Sequence, residues 1–240
     1  MDLKAIESGL QQLITRTQHE RTRPIASHLQ DDGILAGLNQ DIALTDSMSA
    51  GWWQKAGAVL RDPRYSDVGR QGEMKKIAAR AVDEAKPLKT RMDTLLEAMT
   101  HARGLFDFRK PEKSSDPHLS YWRAREIRDR DGLSSRPQRE RDVAFLKAAE
   151  AANLEVMRAL TVDVPGGPLV SDEALQRGTE IYGRKVAPEA VELLEKLEVR
   201  RDRLQGLMDH VAKALLTMGA GPDEIRTLLG VKMEEDGRAA

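Results

Sequence analysis

The sequence contains no cysteine, and only 4% of its 240 residues are aromatic. Without a thiol there is no disulfide framework, no cysteine nucleophile, no thiolate zinc site and no cysteine-ligated iron–sulfur cluster. So few aromatics, set against abundant alanine, leucine, glutamate and arginine, argue for long helices rather than a β-sandwich. An excess of one charge is also missing: 38 Lys+Arg face 39 Asp+Glu, a formal net charge of -1. That balance excludes a uniformly basic nucleic-acid coat and an acidic disordered tail. No apolar run approaches the roughly 20 residues of a membrane-spanning helix. The opening Met1-Asp2-Leu3-Lys4-Ala5-Ile6-Glu7 carries acids where a secretory signal has a basic stub and an apolar block. A cytoplasmic or virion location is therefore expected, not secretion by a signal peptide.

What the chain does have is helical periodicity. Leu3, Ile6, Leu10, Leu13 and Thr17 recur at three- and four-residue steps and predict a first helix over 2–19, broken before Pro24. Residues 25–60 are less regular. Ile34, Leu35, Leu38 and Ile42 suggest one short helix, and Ser49 reads as the N-cap of another that carries Trp52-Trp53 to about Leu60. Gly33, Gly37, Gly51 and Gly57 weaken anything longer. Over 70–102, Met74, Ile77, Ala81, Leu88, Met92, Leu95 and Met99 keep a near-heptad spacing, with Pro87 expected to kink or split the helix. A loop over 104–118, a short Arg-rich helix over 119–130 and a helix over 136–161 follow. Val164-Pro165-Gly166-Gly167-Pro168 is a strong break, and Ser171 caps a helix ending near Val186. From Pro188 onward, Leu194, Leu197, Arg201, Leu204, Met208, Val211, Leu215 and Met218 alternate steps of three and four, a coiled-coil seam with one arginine at a core position. Asp223–Leu229 makes a last short helix, ended by Gly230.

The expected fold is all-α: an elongated helical bundle with two long heptad-patterned helices, about 70–102 and 188–218, and several short ones. The expected organisation is an N-terminal helical region (1–103), an Arg- and aromatic-rich linker or protruding segment (104–135) and a C-terminal helical bundle (136–240). The two seams can pair with each other in antiparallel fashion or face other subunits.

Reactive constellations are sparse. His19, His28, His101, His118 and His210 are scattered, and none forms the i, i+4 pair of a helical metal site. Asp129-Arg130-Asp131-Gly132 is similar to a fragment of a calcium loop, but Ile127 and Gln138 stand where such a loop needs acids. The glycines at 166–167 have no Lys-Ser/Thr behind them, and flanking prolines remove amides that a phosphate cradle uses. Glu224-Ile225-Arg226-Thr227-Leu228-Leu229-Gly230-Val231 resembles the first helix and turn of a helix-turn-helix, but the acidic Glu234-Glu235-Asp236 follows where a recognition helix would meet phosphates. No catalytic residue, metal ligand or cofactor is expected, and the chain reads as non-enzymatic.

Two groups are candidates for contact. Trp52, Trp53 and Trp122, together with the seam residues Leu194, Leu197, Arg201, Leu204, Met208, Val211 and Leu215, are candidate partner-interface residues. Arg123, Arg125, Arg128 and Arg130 lie in the basic stretch 121–141, where guanidinium forks and aromatic faces suit nucleic acid. The leading expectation is a structural or assembly protein that packs through helical seams with itself, as a homo-oligomer, and with other protein subunits. Charged, methionine-containing, cysteine-free helices are similar in texture to bacteriophage virion components of adaptor, internal/ejection or scaffold type. The alternative is a nucleic-acid-binding accessory protein acting through the arginines of 121–141.

Overall fold

The computed structural model describes residues 3–24, 32–109, 128–161 and 168–230, and every regular element among them is helical. The helices are α1 (Leu3–Thr22), α2 (Asp32–Arg61), α3 (Asp67–Gly104), α4 (Gln138–Ala151), α5 (Leu154–Thr161), α6 (Asp172–Val186), α7 (Pro188–Met218) and α8 (Pro222–Leu229). Residues 128–134 are also helical. The molecule is an all-α helical bundle. Its contacts divide it into two compact units, Met1–Ala98 with Glu195–Ala240, and Met99–Leu194. In sequence, the second unit is inserted between the third and fourth long helices of the first.

The first unit is built on α1, α2 and the portions of α3 and α7 that belong to it. Arg21 of α1 pairs with Asp46 of α2, while Leu10 lies beside Trp53, Ala56 and Leu60, so these two helices run antiparallel. Asp41 meets Arg91, and Trp52 meets Glu84, which sets α2 antiparallel to α3. Glu20 lies by Arg203 and Gly9 by Thr217, which sets α1 antiparallel to α7. Ile6, Leu10, Leu13, Ile42, Trp52, Met74, Leu88, Leu204, Met208, Val211 and Leu215 are buried here within a single chain.

Residues 32–61 form one helix, where sequence reading gave two short ones. Ser49 sits buried in its middle, and its hydroxyl donates to the Asp46 carbonyl instead of capping a start. Burial of Ile34, Leu38, Ile42, Thr45, Ser49, Trp52 and Ala56 along one face outweighs the glycine penalties. Pro87, at an exposed position, does not split α3 either; the helix continues through it.

The second unit packs α4 against α5 and α6. The expected helix 136–161 is divided here. Ala152 adopts a left-handed conformation (φ 54°) and its N–H reaches the carbonyls of Ala148 and Ala149. Asn153 then restarts the chain as α5, its Oδ1 accepting from Val156 N–H (3.3 Å). Ser171 caps α6 as its sequence suggests, accepting from Ala174 N–H at 3.2 Å. The core holds Phe106, Phe108, Phe145, Met157, Leu160 and Tyr182. All of the chain's phenylalanines, three in number, are in it. Phe145 and Tyr182 flank Phe108 with ring centroids 5.9 Å away in each case.

Candidate functional site

The conspicuous polar structure lies inside the first unit. On α2, the apolar step pattern Ile34, Leu38, Ile42 brings Asp41 onto the buried face, where its side chain is 0% exposed. A bare carboxylate there would cost several kcal/mol in lost hydration. It is held by two guanidiniums. Arg200 of α7 donates from Nε to Oδ2 (2.9 Å) and from Nη2 to Oδ1 (3.2 Å), and Arg91 of α3 donates from Nη1 to Oδ1 (2.8 Å). Gly37, one turn before Asp41, makes room: a Cβ there would overlap the Arg200 guanidinium. The result ties three helices at one level and fixes their register.

A second carboxylate, Glu20, is equally enclosed near the end of α1. Arg16 Nη2 approaches its Oε1 at 2.7 Å and Arg23 Nη1 at 3.5 Å, while Arg203 Nε lies 3.9 Å from Oε2. Arg203 also donates to the carbonyls of Glu20 (3.3 Å), Arg23 (3.1 Å) and Pro24 (2.9 Å), and so satisfies acceptors that the end of α1 leaves unpaired. Burial, foremost, and then the neighbouring Arg23 charge hold the Arg203 pKa below the usual arginine value, against the pull of Glu20. The group remains cationic.

A third tie lies toward the surface. Trp52 Nε1–H and Lys55 Nζ each donate to Glu84 at 2.7 Å. Burial alone would raise the Glu84 pKa, but the hydrogen bonds from Lys55 and Trp52 outweigh it, and the carboxyl lies below the usual glutamate value. In the α2–α3 turn, hydrogen bonds from Arg64 lower half-buried Asp62 to about 2. In the second unit Asp142 accepts both the N–H and the hydroxyl of Ser171 at 2.9 Å, joining α4 to the start of α6.

The candidate residues read from sequence separate in space. Trp52 is fully buried, and Trp53 is half-buried beside Leu10 and Leu60. Leu197, Leu204, Met208, Val211 and Leu215 are buried within the chain, and Leu194 packs partly against the aromatic core of the second unit. Arg201, placed at a core position by its spacing, is half-exposed and pairs with Asp202 at 2.6 Å; its neighbours Arg200 and Arg203 are the ones that make the interior ties. Arg128 is exposed, whereas Arg130 is buried, its Nη1 3.4 Å from the Ala159 carbonyl. Trp122, Arg123 and Arg125 lie outside the described residues, as does the stretch after Gly230.

Sequence reading missed Asp41, Glu20, Arg200 and Arg203 as a group. A signal was present: the three- and four-residue steps Ile6, Leu10, Leu13, Thr17 lead next to Glu20, and the α2 stripe runs through Asp41 and Thr45. An acid standing on an apolar stripe asks for a buried partner.

Among the described residues no three His, Asp or Glu side chains are grouped to hold a metal, and no helix is long and apolar enough to cross a membrane. Comparison of the chain with protein-family models, curated proteins and solved structures gives no match.

Proposed function

We propose that the protein is a non-enzymatic structural or assembly module, a helical part that works through its outer surface. The observation that carries this reading is the use made of its interior charges. Buried Asp41 and Glu20 lie among guanidiniums that reach them from other helices, and half-buried Asp142 accepts from the helix-capping Ser171. Such joints favour one register over its alternatives, as an assembly part requires. In its most specific form the proposal is a bacteriophage virion component of adaptor, internal/ejection or scaffold type, supported by the composition of its helices.

Because the 194–218 seam is covered inside the chain, self-association in this reading uses other surface. Leu105, Val143, Val186 and Leu193 of the second unit are large apolar side chains left in water, Leu105 at 58% exposure. Light scattering on the purified full chain at micromolar concentration tests the proposal. A discrete homo-oligomer that Leu105→Asp or Leu193→Asp disperses is expected. A monomer at every concentration contradicts it. Salt-sensitive binding to duplex or single-stranded DNA, abolished by Arg128→Gln, would instead favour the nucleic-acid alternative.

A further inference from the structure

The face shared by α1 and α7 in the first unit carries an open groove with room for about 530 Å³, lined by Ser8, Gln11, Gln12, Thr15, Arg16 and His19 of α1 and by His210 of α7. All of these residues are polar, and no carboxylate or aromatic carbocycle is among them. The space matches a ligand of small-metabolite size.

The groove is organised from behind. Fully buried Glu20 pairs with Arg16 at 2.7 Å, and His19 Nδ1 lies 4.0 Å from the same carboxylate oxygen. Gly206 of α7 lies beside Arg16, whose Nη2 is 3.7 Å from where a Cβ would stand, an ordinary contact distance. One turn later, His210 faces the Gly206 carbonyl with Nδ1 at 2.7 Å. A carbonyl only accepts, so Nδ1 carries the proton, and in the neutral ring Nε2 is an acceptor left for the groove. Thr15 donates to the Gln11 carbonyl and Gln12 donates to Ser8, which leaves the Gln11 amide for a ligand.

We propose that this groove binds a small phosphorylated polyhydroxy compound, a sugar phosphate in chemical class. The Arg16 fork takes the phosphate, with His19 as its second donor. His210 Nε2 accepts from a ligand hydroxyl, and the Gln11 amide donates to and accepts from others.

The test follows the ring proton resonances of His19 and His210 by NMR at about 0.15 M salt, with glucose 6-phosphate, glucose and inorganic phosphate as probes. Glucose 6-phosphate is expected to perturb both residues saturably with a Kd of about 1 mM or tighter, and each of the other probes to bind at least about tenfold more weakly. Arg16→Gln is expected to abolish saturation. Since that change also removes the closest cation from Glu20, His19→Gln and His210→Ala, which keep the Arg16–Glu20 pair, are each expected to weaken binding about fivefold in protein that melts normally. Failure to saturate, inorganic phosphate binding as tightly as the sugar phosphate, equal perturbation of His101, or unchanged affinity in His210→Ala each overturns the proposal. None of these readouts depends on whether the chain self-associates.

Discussion

The two units solve the same problem, fixing one packing among many similar helical ones, with different chemistry. The first buries charge: Asp41 between Arg91 and Arg200, and Glu20 among Arg16, Arg23 and Arg203. The second buries shape: Phe108 between Phe145 and Tyr182, with Arg130 and Thr161 its buried polar side chains among the described residues. Glycine serves both. In the first unit Gly37 gives way to a guanidinium; in the second, Gly178 and Gly183 of α6 give way to the rings of Phe145 and Phe106, the latter 2.9 Å from where a Gly183 Cβ would stand. Leucine and alanine alone leave helices free to slide by a turn; a carboxylate or a ring that fits one place does not.

Substitutions separate the two modes. The largest effect is expected for Phe145→Ala, which empties the centre of the second unit and should cost about 4 kcal/mol in denaturant unfolding. Asp41→Asn should cost about 3 kcal/mol, because two guanidiniums then face a neutral amide at a buried position. Replacing Asp41, Arg91 and Arg200 together by leucine or methionine should recover most of that loss, a recovery that an aromatic core has no counterpart for. Gly178→Ala should cost about 2 kcal/mol through overlap with the Phe145 ring, and Phe145→Leu in the same chain should relieve part of it. Ser171→Ala should cost about 1 kcal/mol, since it removes both the α6 cap and a partner of Asp142.

Acid should weaken the first unit through its low-pKa carboxyls. Glu84 and Asp62 both titrate below their ordinary values in the folded chain, so their contributions are complete above the unfolded-state pKa values and disappear as pH falls through the folded ones, down to about 2 for Asp62. Melting temperature measured from about pH 5 to pH 3 should fall less in Glu84→Gln than in the parent chain. Trp52 emission should change over the same range in the parent, because its indole N–H donates to that carboxylate.

Much of the helical framework was legible because period and punctuation are local. The apolar steps of α1, α3 and α7, the Ser171 cap and the Gly230 stop (φ 64°) all state themselves within a few residues. The continuity of α2 was not, because glycine and serine penalties are local while the burial that overrides them comes from other helices. The break at Ala152-Asn153 was hidden for the opposite reason: alanine-rich sequence on both sides reads as uninterrupted helix, and a left-handed alanine leaves no mark in composition. The interior ties were half-legible. Asp41 and Glu20 stand visibly on apolar stripes, but the partners that tie them to other helices lie far along the chain, Arg200 159 residues from Asp41 and Arg203 183 residues from Glu20. A strict heptad reading also set Arg201 at a core position, where a 3.6-residue period and a broad stripe that includes Leu207, Ala212 and Ala214 turn Arg200 and Arg203 inward.

The claim that interior charges act as joints is tested most directly by a double-mutant cycle on Asp41 and Arg200. Unfolding free energies of the parent chain, Asp41→Ala, Arg200→Ala and the double variant should give a coupling of about 2 kcal/mol, with the double variant far less damaged than the sum of the single ones. Additivity to within about 0.5 kcal/mol would mean that the two side chains do not hold the helices together, and would contradict the account.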